Sequence, residues 1–275
     1  MRHRHAIMLF SIALPICVLL RTIQMCFTID STTGFIKQQY SAIGVIISVI
    51  ICATTAAVGL LAATIENTKQ NKAAQRPAVA IAAALAGGMF FYQTVAQTQS
   101  GLLLSFNGAW YDVLLIFLAL VSAFVFVAYG LKNIYEYQMP NILLVAPVVY
   151  YIVRLISIFV STSALARVTE NVFLIFTNSV LLWFMFEFAS FENEIGDTDK
   201  KPKRLFASGL AAVILCAVTS LSKIIFAMVS RVKLSNGDIA SALLNAAIGV
   251  FILVYIICNF GEENGREKPS SKHSA

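Results

Sequence analysis

Residues 72–96 read KAAQRPAVAIAAALAGGMFFYQTVA, and their pattern returns at 200–224 as KKPKRLFASGLAAVILCAVTSLSKI. Each stretch opens on a basic pair, Lys72 and Arg76 against Lys200 and Arg204, then becomes an apolar run. Inside the runs, the row Ala80, Ala84, Gly88 falls on Ser208, Ala212, Cys216. A shift of about 130 residues also lays Asn107-Gly108 on Asn236-Gly237, and Arg21 near Arg154. These coincidences predict an all-α, polytopic membrane helix bundle with a 4+4 parallel internal repeat. Residues 1–136 form the first four-helix half, 137–260 the second, and 261–275 a disordered cytoplasmic tail.

Composition agrees with lipid as the solvent. Apolar residues make up 59% of the chain and charged residues 12%, with mean hydropathy +0.79. A soluble domain carries about 25% charged residues, so half the expected water-facing charge is missing. Eight apolar runs, near 6–28, 39–64, 77–96, 110–131, 141–162, 171–190, 205–229 and 238–259, match the roughly 20 residues a spanning helix needs. They lack barrel-strand alternation, so helices are expected, with every backbone group bonded internally. The opening MRHRH and its apolar run lack a small-residue cleavage site, so the first helix is read as uncleaved.

Lys and Arg placement sets the orientation. With a cytoplasmic N-terminus, inside segments hold 13 basic residues and outside segments 4, namely Lys37, Arg167, Arg231 and Lys233. Both termini are then cytoplasmic, in a multi-pass protein of the cell membrane. Topology accounts for the pI of 9.1, and no nucleic acid is implied. The basic loops suit anionic lipid headgroups.

Arg21, Arg154 and Lys223 interrupt three helices that run from inside to outside, each in the outer half of the membrane. A cation at mid-bilayer costs about 2.5–3.5 kcal/mol, so each is expected to face protein or water. Asp112, Glu170, Asp238 and Asp30 lie at similar depth. One reading makes these seven groups structural ion pairs or snorkelling cations. The other makes them an outward cationic site for a small anionic or zwitterionic solute. Tyr150 and Tyr151, about one turn before Arg154, offer hydroxyl or cation–π contacts to it. Pro15 and Pro147 precede the two arginines by six and seven residues, which predicts a bend below each charge. Glu187, near Glu192 and Glu194, is read as the start of a cytoplasmic loop. Trp110, Tyr111, Tyr135 and Tyr137 fit interfacial anchors.

The rows Ala80, Ala84, Gly88 and Ser208, Ala212, Cys216, Ser220 predict close helix packing through the third and seventh helices. Ala84→Leu and Ala212→Leu are both expected to lower folded yield.

Chemistry has few other places to reside. There is no phosphate-cradling glycine-lysine loop, and His3, His5 and His273 stand only in the tails. Cys17, Cys26, Cys52, Cys216 and Cys258 lie in apolar runs without metal-ligand spacing. The chain is therefore read as no enzyme, with no cofactor and no metal.

Leu20-Arg21-Thr22-Ile23-Gln24, followed by Asp30-Ser31-Thr32-Thr33-Gly34-Phe35, resembles the opening of uncharacterised multi-pass proteins from anaerobic Gram-positive bacteria. The resemblance covers about 20 residues and implies no activity. Two function classes remain. The first is a small-solute permease or membrane solute-binding component, served by a separate energising or assembly subunit. The second is a non-transporting sensor, assembly or envelope-organising protein.

Overall fold

The computed structural model describes residues 2–28, 40–64, 76–99, 110–135, 139–161, 168–193, 201–230 and 235–260. They form α1 (Arg2–Thr28), α2 (Ser41–Ala63), α3 (Pro77–Gln99), α4 (Trp110–Tyr135), α5 (Val145–Ser161), α6 (Val168–Glu192), α7 (Lys201–Ser230) and α8 (Asn236–Phe260). A 3-10 turn, Asn141–Leu144, leads into α5. All eight helices are long and apolar enough to cross a membrane. The chain is accordingly a multi-pass helical membrane protein. The predicted tail, the Asn107-Gly108 pair, and Lys72, Lys200, Asp30, Tyr137 and Glu194 lie outside the described residues.

Polar side chains inside the spans turn back on their own helix. Thr22, Thr55, Thr177 and Ser220 donate to the carbonyls of Val18, Ile51, Phe173 and Cys216. Each hydroxyl is thus satisfied four residues back, without water. Phe117, Phe124, Phe159 and Ile257 stand exposed on the outside, the surface that lipid would cover. Trp110 and Tyr135, at opposite ends of α4, are also exposed, as interfacial anchors should be.

Helices α3 to α8 neighbour one another in chain order, and α8 closes the circuit on α3. Helices α1 and α2 pair and dock on α7. The packing is therefore two plus six. The α1–α2 and α3–α4 pairs have counterparts in α5–α6 and α7–α8, as a repeat requires. Contacts of α1 and α2 with α7 have no comparable counterpart of α5 and α6 with α3 among the described residues. The internal repeat thus gains no support from helix neighbours. Ile7 and Phe260 line one cavity, so both ends of the described chain sit at one end of the bundle, called the termini end below.

Close packing occurs where expected in α7 and one residue away in α3. Ser208, Ala212, Cys216 and Ser220 are all buried, beneath a helix that meets α1, α2, α6 and α8. In α3, Ala80 is buried but Ala84 and Gly88 are exposed. The packed face carries Val79, Ala83, Ala86, Gly87 and Phe90 instead. A Cβ on Gly87 would stand 2.8 Å from the Ala123 carbonyl oxygen, and one on Gly130 2.9 Å from that of Ala80. The α3 and α4 backbones therefore meet at reciprocal glycines. Only Ala212→Leu keeps its expected cost, because Ala84 has room to grow.

Pro15 lies within α1, as predicted. Pro147 is the third residue of α5, where a missing N–H breaks no helical bond. The predicted bend below Arg154 is replaced by a helix start.

Candidate functional site

At the end opposite the termini, α1, α6, α7 and α8 line a small cavity of about 20 Å³, room for about one water molecule. Arg21, Lys223, Thr219, Ser241 and Asn245 contribute its polar lining. Arg21 is 3% exposed, and its guanidinium lies 4.1 Å from the centre of the Phe173 ring. Its Nη1 donates to Gln24 Oε1 at 2.7 Å. Gln24 Nε2 in turn donates to the Gly44 carbonyl at 2.6 Å and to Ser48 Oγ at 2.8 Å. Arg21 is thereby fixed to the α1–α2 hairpin.

Arg154, on α5, does not line this cavity but bonds a residue that does. Its Nη2 donates to Ser241 Oγ at 2.7 Å, and its Nη1 to the Tyr150 hydroxyl at 3.0 Å. It is 8% exposed, and no carboxylate pairs with it among the described residues. Two predicted arginines thus converge on Ser241, one lining the cavity beside it and one bonded to it. Asn245 Oδ1 and the Tyr151 hydroxyl are buried without a protein hydrogen-bond partner. Tyr151 meets Tyr150 edge to face at 5.2 Å and makes no bond to Arg154.

Lys223 differs. Its Nζ pairs with Asp238 Oδ1 at 2.8 Å. Ser235 caps α8, since its Oγ accepts from the Asp238 backbone N–H, and its hydroxyl donates to Asp238 Oδ2. The carboxylate at the third helical position orients the capping hydroxyl, so Asp238 has a structural duty besides the pair. Asp112 is half-buried in the first turn of α4 and pairs with neither arginine. Glu170 falls in α6, with its side chain outside the described residues.

A second polar cluster, at the termini end, corrects the expected loop. Glu187 and Glu192 both belong to α6 and are not loop residues. Glu187 is 7% exposed and accepts from Trp183 Nε1 at 3.3 Å. Glu192 Oε1 accepts from the hydroxyls of Tyr129 and Tyr255 at 2.9 and 3.0 Å, and Lys132 Nζ stands 3.5 Å from Oε2. Nearby, Arg76 donates to Asn259 Oδ1, tying the start of α3 to the end of α8. Partners on α4 and α8 keep the helix going past the point where charge alone suggests it stops. The two tyrosines, each inside an apolar run, were the available signal for Glu192.

Aromatic rings join the two clusters. Phe90 meets Tyr150 at 5.1 Å and Phe126 at 5.5 Å, and Phe126 meets Phe251 at 5.1 Å. Phe188 then meets Phe251 at 5.7 Å and Tyr255 at 5.1 Å. These rings fill the space between Arg154 and Glu192 with apolar material.

No protein-family model, no curated protein and no solved structure matches this chain.

Proposed function

We propose that the protein is a small-solute permease, or the solute-binding membrane component of one, in the cell membrane with both termini cytoplasmic. Its cationic cavity in the outer half takes a small anionic or zwitterionic solute. The observation that carries this reading is Arg154, buried among neutral hydroxyls. A guanidinium so held keeps a costly uncompensated charge, which an incoming carboxylate or phosphate relieves by charge-assisted bonds. Arg21 beside Ser241 and Asn245 gives that anion a second cation.

At about 20 Å³ the cavity holds no solute larger than water, so it is the closed state of the site. Arg21 rides on the α1–α2 hairpin outside the six-helix circuit. Displacing that hairpin opens the cavity without parting the circuit. The driving force comes from a solute gradient or from a separate energising or assembly subunit, and no catalytic step is assigned.

The second reading, a non-transporting protein with structural charges, is favoured by the Lys223–Asp238 pair and the Ser235 cap beside it. Reconstitution into liposomes separates the two. Arg21→Ala and Arg154→Ala should reach the membrane at wild-type levels yet lose at least about tenfold in binding or uptake of acetate, phosphate or glycine. Loss of both variants from the membrane would favour the structural reading.

A further inference from the structure

Two apolar cavities run end to end beside α1, over α7 and α8. One, of about 300 Å³, is lined by Phe10, Phe206, Leu210, Leu253, Ile257 and Phe260. The other, of about 190 Å³, continues past Leu14, Ala217 and Val250 and shares Leu253 with the first. They open outward, since Ile257 and Val250 are 59% and 49% exposed. From Phe260 to Ala246 the groove spans about 21 Å of helix, at 1.5 Å per residue. One leaflet of the hydrocarbon core is about 15 Å deep. A single acyl chain entering at the termini end would therefore lie wholly within it.

The lining offers a polar solute nothing. The hydroxyls of Ser11 and Ser220 are already committed to the carbonyls of Ile7 and Cys216. Charge gathers at the termini end instead. Lys203 precedes Phe206 by one turn, on the stripe that continues through Leu210 and Ala217. Arg204 follows it and is exposed. Neither cation has a hydrogen bond or ion pair among the described residues. Arg2 and Arg4 open α1 at the same end. A protein helix seated here would have to desolvate Lys203 and Arg204, whereas an anionic headgroup neutralises them.

We infer that this groove is a binding site for an anionic phospholipid, with an acyl chain along α7 and α8 and its phosphate at Lys203 and Arg204. The site is independent of the solute cavity at the opposite end.

Native mass spectrometry of the full chain in neutral detergent tests it, with phosphatidylglycerol or phosphatidylcholine of equal chain length added. The wild type should retain phosphatidylglycerol about tenfold better. Lys203→Ala with Arg204→Ala should abolish that tenfold preference, leaving phosphatidylcholine unchanged. Ile257→Trp, on the exposed rim, should lower retention of both lipids. Equal retention of the two lipids by the wild type would overturn the inference, as would undiminished phosphatidylglycerol binding in the double variant. A dimer that Ile257→Trp dissolves would assign the groove to a second copy instead.

Discussion

At the termini end, Glu192 gathers two tyrosine hydroxyls and the Lys132 amine around one carboxylate. At the opposite end, Arg154 rests on Tyr150 and Ser241 with no carboxylate beside it. Both clusters are separated from each other by aromatic rings that meet edge to face. The difference separates a charge that joins three helices from a charge held only by neutral hydroxyls. Removing Glu192 strips three donors of their acceptor, which a membrane interior does not replace. Removing Arg154 leaves two neutral hydroxyls, of which that of Ser241 is able to turn to a carbonyl of its own helix.

The contrast predicts a graded series. Glu192→Ala should cost about 2–3 kcal/mol, read as a lowered thermal unfolding midpoint in detergent. An unchanged midpoint would remove the distinction between the two ends. Tyr129→Phe and Tyr255→Phe should each cost about 1 kcal/mol. Because both hydroxyls share Glu192 Oε1, the double variant should depart from additivity; strictly additive losses would argue against a shared acceptor. Asp238→Ala should cost about 1 kcal/mol through the lost Oδ2 bond to Ser235 and the lost Lys223 pair, while the backbone N–H stays capped by Ser235. Lys223→Ala, which leaves the Ser235–Asp238 side-chain bond in place, should cost less than about 1 kcal/mol. The reverse order would make the ion pair the chief support of that corner.

Much of the fold was legible in the sequence because lipid imposes one simple rule: long apolar runs must be helices. All eight runs are helices. What the apolar pattern could not choose was the face. In α3 the alanines at 80, 82, 83, 84 and 86 offer small side chains all around, so the row through Ala84 and Gly88 looked as good as the true one through Ala83 and Gly87. In α7 no face had to be chosen, because residues 205–216 are buried all round and the row through Ser208, Ala212 and Cys216 is buried with its neighbours. Neighbour relations between halves were not legible either, because docking of α1 and α2 on α7 depends on contacts such as Ser222 Oγ to the Val18 carbonyl, 204 residues apart in sequence.

The site was legible in part. Arg21 and Arg154 stood out because lipid tolerates few cations, and both converge on Ser241. Lys223 looked the same in sequence but is claimed by the Asp238 carboxylate. Glu192 was hidden by the opposite effect. Near a basic, polar stretch its charge suggested water, while the two tyrosines that receive it lie 63 residues away on either side.

The most direct test is the thermal unfolding of Arg154→Met in detergent, with and without acetate, phosphate or glycine at millimolar concentration. A ligand that binds only the folded wild type raises its midpoint. The variant should unfold within about 1 kcal/mol of wild type and lose that ligand-dependent rise. A collapse in stability as deep as that of Glu192→Ala, or a rise equal to the wild type's, would contradict the assignment of Arg154 to a solute.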